Sequence, residues 1–260
     1  MKCKNCNGIV RKNFCSSCGQ NTGVGKINYK SVVQELFQAV FFIKNGFLFT
    51  LKELFLRPGS TIRAYLDGQR KRYFKPVVYV IILSSFYYLS IRLIGENTWP
   101  ENVVAGMMED VDSSVTISIE GGKVVVPELF IWLSKNYSYL LLLSVPLFSL
   151  ASWIAFWHFK VSYFEHFVIN LYITGQQAFI SAIILLINVP FKNDFLDFLS
   201  SFLAVLYVYF VYWKFFKSGR RFWNVVRTIT SYIIYGFLSF IIFALIFVLN
   251  NFTKISLELQ

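Results

Sequence analysis

RPGSTIRAYLDGQRKRYFKPVVYVIILSSFYYLSIRLI, residues 57–94, contains the transition that decides the fold. Its first half is basic: Arg57, Arg63, Arg70, Lys71, Arg72 and Lys75 stand against a single acid, Asp67. Its second half, Val77–Ile94, is an apolar run whose only charge is Arg92, near the far end. In a soluble protein RKRYFK would read as a nucleic-acid patch. Directly before a run close to the roughly 20 residues that cross a bilayer as a helix, it reads first as a topology signal. It is also a contact for anionic lipid headgroups. Bare anchoring does not need Pro58, Gly59, Ile62, Tyr65 and Gly68 at these spacings. They predict a short helix, capped by Ser60 or Thr61 and stopped by Gly68, that docks against a neighbouring element.

Four further apolar runs follow, at 137–157, 164–189, 195–216 and 228–249. With 77–94 they predict an all-α integral membrane bundle of five transmembrane helices, since lipid offers no partners for unpaired backbone groups. The 164–189 run is the longest and suggests tilt or a break near Gly175. The whole chain agrees: 56% of 260 residues are apolar, 15% are charged, and the mean hydropathy is +0.54. A soluble domain carries about a quarter charged residues. No apolar stretch opens the chain, so no cleavable signal peptide is expected.

The net charge of +11 is distributed asymmetrically. Residues 1–76 hold fourteen of the 25 bases and three acids, and the 214–227 link is basic throughout. Residues 95–136 hold seven acids and two bases. This alternation predicts a cytoplasmic N-terminus, an external acidic loop at 95–136 and an external tail at 250–260. Within the acidic loop, VTISIE-GG-KVVV predicts a β-hairpin turning at Gly121-Gly122. Residues 27–76 form the membrane-proximal part; between 29 and 56, polar residues recur at helical spacing, giving interfacial helices broken near Asn45-Gly46. The expected partners are membrane lipid and the anionic cytoplasmic leaflet, with a cytosolic protein as a further candidate and nucleic acid disfavoured.

All four cysteines fall in residues 1–26, as Cys3-x2-Cys6 and Cys15-x2-Cys18. Two such knuckles can present four thiolates tetrahedrally to one ion. Gly8 and Gly19 allow the tight turns. A cytosolic setting favours reduced thiols, and the spacing points to one structural Zn²⁺, although iron has the same ligand pattern. So small a module has almost no core, and metal would supply most of its folding energy.

Cys3-Lys4-Asn5-Cys6 and Asn13-Phe14-Cys15-x2-Cys18-Gly19-Gln20 resemble the head of a bacterial family of zinc-ribbon membrane proteins catalogued only as a domain of unknown function. Asn45-Gly46-Phe47-x2-Thr50-Leu51-Lys52-Glu53-Leu54 and Arg57-Pro58-Gly59-x2-Ile62-Arg63-x-Tyr65-Leu66-x-Gly68-x-Arg70, with Tyr73 and Pro76, extend the likeness over residues 3–76. The resemblance implies a zinc ribbon, a signature segment before the first span and a multi-span tail. It implies no activity.

Two other groups carry candidate chemistry. His158, Glu165 and His166 could bind a metal or relay protons, against the plainer reading of interfacial residues at helix ends. Asn170, Gln176 and Gln177, inside the third run, could line a path for a small amphiphile, against the plainer reading of interhelical hydrogen bonding. No run carries a mid-membrane charge, which argues against ion coupling. No nucleophile elbow, phosphate loop or zincin motif is present, so a non-enzymatic role is favoured. The functional expectation is a membrane-anchored interaction or regulatory module of the bacterial inner membrane; the alternative is a transporter or lipid-handling protein.

Overall fold

The computed structural model describes residues 2–10, 13–21, 46–95, 116–119, 122–125, 137–217 and 221–258. Residues 29–45 of the expected interfacial segment, and all of the acidic loop except two strands, lie outside these.

Helix α1 (Phe47–Leu56) begins directly after Gly46, whose φ of +117° is a conformation that a side chain would oppose. The break expected at Asn45-Gly46 is therefore a helix start. Helix α2 (Pro58–Leu66) has Arg57 as its N-cap and Pro58 in its first turn. Neither Ser60 nor Thr61 is the cap; the Ser60 hydroxyl donates back to the Arg57 carbonyl at 3.0 Å. Proline suits this position because its fixed φ is already helical and its missing N–H would have had no partner. At the other end Gly68, with φ +110°, donates to Tyr65 O at 3.1 Å while Gln69 donates to Ala64 O at 2.9 Å. That pair of bonds is a Schellman stop, so the glycine ends α2 as the sequence predicts.

Helix α3 (Pro76–Ile94) opens on a proline and ends at Gly95 in the left-handed region. Helices α4 (Tyr137–Ala155), α5 (Tyr163–Asn188), α6 (Asp194–Phe215) and α7 (Phe222–Glu258) complete the bundle. The α4–α5 link contains a 3₁₀ turn, Trp157–Phe159. Helix α5 is central, packing against α3, α4 and α6, while α2 packs across α6 and α7 packs on α4 and α6. The shared core runs through Leu54, Ile62, Tyr65, Tyr79, Tyr172 and Phe215, so the signature segment and the bundle bury their apolar surface together.

No break occurs in α5. It runs 26 residues through Gly175, where a Cβ would stand 2.7 Å from the Tyr79 ring and 3.3 Å from Val80 Cα. The glycine lets α3 and α5 approach closely, the role small residues take between membrane helices.

Four helices among the described residues are long and apolar enough to cross a membrane: Pro76–Ile94, Tyr163–Asn188, Phe195–Phe215 and Phe222–Ile246. They account for four of the five expected spans. The fifth run, 137–157, is helical over Tyr137–Ala155, 19 residues like α3, or about 28 Å at 1.5 Å per residue. The last run is longer than predicted. Helix α7 starts at Phe222 and continues to Glu258, so residues 250–258 are helix and not a separate tail.

Strands β1 (Thr116–Ile119) and β2 (Gly122–Val125) pair antiparallel, with Thr116 opposite Val125 and Ile119 opposite Gly122. Gly122 therefore belongs to a strand, and the connection falls one residue earlier than Gly121-Gly122.

Candidate metal centre and its seat on the signature segment

The two cysteine knuckles are built alike. In the first, Cys3 N–H donates to Gly8 O at 2.9 Å and Asn7 N–H to Cys3 O at 2.9 Å; in the second, Cys15 N–H donates to Gln20 O at 2.8 Å and Gly19 N–H to Cys15 O at 2.7 Å. Asn7 (φ +58°) and Gly19 (φ +68°) occupy equivalent left-handed positions. The first knuckle thus turns on Asn7 and not on Gly8; asparagine is one of the few residues that tolerate this region.

The four Sγ atoms of Cys3, Cys6, Cys15 and Cys18 all lie within 4.8 Å of one another. Cys3–Cys18 and Cys6–Cys15 are each separated by 3.6 Å. Tetrahedral ligands at about 2.3 Å from an ion would lie about 3.8 Å apart, so the arrangement fits a four-thiolate metal site. Backbone N–H groups support the charged form at Cys15 and Cys18, while at Cys6 the Gly8 N–H is outweighed by the neighbouring sulfurs, which push that thiol up to about 12. The N–H groups of Cys18 and Ser17 hold the Cys15 thiol down to about 6 from its ordinary 9.0, and the Gln20 N–H lowers that of Cys18. Thiolates are the species that ligate metal. With four protein ligands no position would be left open for substrate, the ligand pattern of structural sites.

The module is seated through Gln20, which is 5% exposed. Its Nε2 donates to Gly68 O at 2.6 Å and its Oε1 accepts from Lys71 N–H at 3.2 Å. The partners are the glycine that stops α2 and the first residue of the KRYFK run. Gln20 is missing from the residues that the spacing marks as functional. Its sequence signal is its place after Cys18-Gly19 in the motif that carries the family resemblance.

The segment that receives it is itself held on the bundle. Arg63 donates to Lys214 O at 3.2 Å and lies 5.2 Å from the Phe215 ring centre, a cation at the carbonyl end of α6 where the helix dipole favours one. Tyr207 OH donates to Leu54 O at 3.0 Å, Phe74 N–H donates to Thr50 Oγ1 at 2.8 Å, and Tyr172 OH donates to Phe74 O at 2.6 Å. Of the six expected headgroup contacts, Arg57, Lys71 and Arg72 are exposed, while Arg63, Arg70 and Lys75 are half-buried. Arg72 also packs over Phe49 and Arg70 over Tyr65.

The trio His158, Glu165 and His166 is not brought together. His158 is exposed in the 3₁₀ turn. Glu165 closes a capping box: its carboxylate accepts from Ser162 N–H at 2.7 Å, and its own N–H donates to Ser162 Oγ at 3.3 Å. His166 turns into the bundle beside the stacked Phe156 and Phe216 rings, with Nδ1 3.0 Å from Ser152 Oγ. Among the described residues, the cysteines form the one group of three or more potential ligands close enough for a metal.

Asn170, Gln176 and Gln177 have separate partners. Asn170 donates to Ser149 and Ser152 hydroxyls at 3.1 and 3.0 Å and accepts from Tyr212 OH at 2.7 Å. Gln176 Oε1 accepts from Tyr79 OH, and Gln177 Nε2 donates to Ala204 O at 2.9 Å. Between them these bonds join α5 to α3, α4 and α6, as interhelical hydrogen bonding does. An apolar groove of about 420 Å³ lies elsewhere, between α1, α5 and α6, lined by residues that include Phe55, Phe179, Ile180, Leu203, Tyr207 and Phe210.

These features define a helical protein with four helices, among the described residues, long and apolar enough to cross a membrane and an N-terminal four-cysteine module. Residues 45–88 match the family described as "Protein of unknown function (DUF3667)". The match covers α1, α2, the basic run and the first part of α3, which is the segment that seats the cysteine module. No curated protein and no solved structure matches the chain.

Proposed function

We propose that the chain is a multi-pass protein of the bacterial inner membrane that presents a zinc ribbon as an interaction or regulatory module. The observation that carries this reading is the closed four-sulfur cluster seated by Gln20 on the segment before the first span. In it, Cys3, Cys6, Cys15 and Cys18 hold one structural Zn²⁺, and the ribbon recruits a cytosolic protein to the membrane. The basic residues of 57–75 contact the anionic cytoplasmic leaflet. Helix α4 completes a set of five spans, which leaves the N-terminus cytoplasmic and places the hairpin and the C-terminus outside. Affinity capture with the full chain in native membrane tests the reading: Cys15→Ser should lose both the zinc and the captured partner. An unchanged partner set in the metal-free variant would sink it.

The lipid-handling alternative is favoured by the apolar groove between α1, α5 and α6, and in that reading the groove takes an acyl chain. Ile180→Trp, which would fill it, should then displace a lipid that survives detergent purification of the unaltered chain; retention of the lipid would dismiss the alternative.

A further inference from the structure

Gln20 belongs to two structures at once. Its main chain is part of the second knuckle: its carbonyl accepts from Cys15 N–H at 2.8 Å, and its N–H faces the Cys18 sulfur. Its side chain, 5% exposed, makes both of its hydrogen bonds to the backbone of the 68–71 turn. That backbone position depends on the knuckle being closed. Among the described residues the apolar cluster of the cysteine module comprises three buried side chains, Cys3, Val10 and Cys15, with Cys18 packed against them, so without metal little else would hold the Gln20 main chain in place. Lys71 adds charge to the same joint. Its Nζ is 3.7 Å from where a Cβ on Gly19 would stand, beside a site that carries net negative charge once four thiolates bind a divalent ion.

We infer that the metal controls the seat: with metal bound, Gln20 locks the 68–71 turn against the ribbon, and loss of the metal unlocks it, freeing the Lys71–Arg72 basic run to rearrange at the lipid surface. The inference rests on the metal-ribbon reading above. It adds that the ribbon's occupancy is transmitted within the chain to the segment preceding the first span. Coupling of this kind is reciprocal, so the seat must also strengthen metal binding. Two hydrogen bonds made by one side chain are worth roughly tenfold in affinity.

The test uses the full chain in nanodiscs of mixed phosphatidylglycerol and phosphatidylethanolamine. Metal content is measured first; a chain that holds no metal under zinc-replete conditions overturns both the reading and the inference. With metal present, hydrogen exchange at the Lys71 amide should be slow and should accelerate when a chelator strips the ion. Gln20→Ala should show fast exchange with its metal still bound, and should surrender that metal at about tenfold lower chelator concentration. Cys15→Ser should match the stripped chain. If stripping leaves Lys71 exchange unchanged, or if Gln20→Ala holds its metal as tightly as the unaltered chain, the coupling is overturned while the metal site itself stands.

Discussion

Gly59 lies against the backbone of Lys214, so close that a Cβ on it would overlap the Lys214 carbonyl and stand 2.8 Å from Phe215 N. The start of α2 therefore meets the end of α6 main chain to main chain. The same carbonyl accepts from Arg63 one turn further along α2. This contact joins the segment before the first span to a helix more than 150 residues away.

Gly59→Ala should consequently destabilise the chain by about 1–3 kcal/mol, the usual range for overpacking. The obstructing atoms are backbone, so the strain cannot be relieved by a rotamer change. Thermal unfolding in detergent should show a lower midpoint than for the unaltered chain. Gly236→Ala is the control, since a Cβ there meets nothing within 4 Å. Equal midpoints for the two variants would refute the contact.

His158→Ala and His166→Ala separate a catalytic pair from two unrelated residues. His158 is exposed, and its loss should leave stability within about 0.5 kcal/mol. His166 is fully buried and bonded to Ser152; removing it takes away that bond and leaves a cavity beside the stacked Phe156 and Phe216 rings. A loss of about 1–3 kcal/mol is expected. Denaturation midpoints of both variants check this, and similar effects at the two positions would count against the placement.

How far the sequence shows this in advance depends on the range of the interaction. The cysteine spacing, the apolar runs and the Gly68 stop are local signals, and the structure follows each of them. The capping box of α5 was equally legible: Ser162-x-x-Glu165 before an apolar run is its signature. Grouping Glu165 with His166 set that signal aside, although adjacent helical residues project to different faces. Gly59, Gly175 and Gln20 were not legible in this way. Gly175 reads as a break until α3 is known to lie against it, and Gln20 acquires a role only once residues 68–71 are folded beside it. The β-hairpin register slipped by one because two adjacent glycines suit the turn and only the pairing partners choose between them.

Tyr79→Phe should test the α3–α5 joint. The Tyr79 hydroxyl donates to Gln176 Oε1, and Gln176 is fully buried with its Nε2 making no hydrogen bond. Removing the hydroxyl leaves the amide oxygen unpaired too, at a cost of about 1–2 kcal/mol in a membrane bundle. Tyr79→Phe combined with Gln176→Leu should recover part of that loss, because both ends are then apolar. A double variant no more stable than Tyr79→Phe alone would contradict the assignment.

Acidification should release the metal. The Cys15 thiol is held at about 6, below its ordinary 9.0, by N–H groups of its own knuckle. A depressed thiol contributes stability that is fully present above its ordinary value and is lost as the pH falls through the lowered one. Metal binding displaces the same protons, and also that of Cys6, whose thiol is pushed up to about 12, so affinity should fall steadily with acid and most steeply below about 6. A zinc-sensitive dye added to the purified chain should report about one equivalent released on the acid side of that value. Release already complete at pH 8 would contradict the role assigned to the N–H donors.

The side on which the chain ends depends on whether α4 crosses the membrane, and α7 provides a means of deciding. At 37 residues, α7 is about 55 Å long, against a hydrocarbon core of ~30 Å. It enters from the 214–227 link, whose Lys214, Lys217, Arg220, Arg221 and Arg227 are the expected cytoplasmic signal. If α4 spans, the basic N-terminal segment and this link share the cytoplasmic side, and α7 carries the C-terminus out. If α4 does not span, the two basic segments fall on opposite sides, which the charge rule disfavours. An alkaline phosphatase fused after Gln260 should therefore be active, and a green fluorescent protein at the same position dark. The reverse result would show that only α3, α5, α6 and α7 cross.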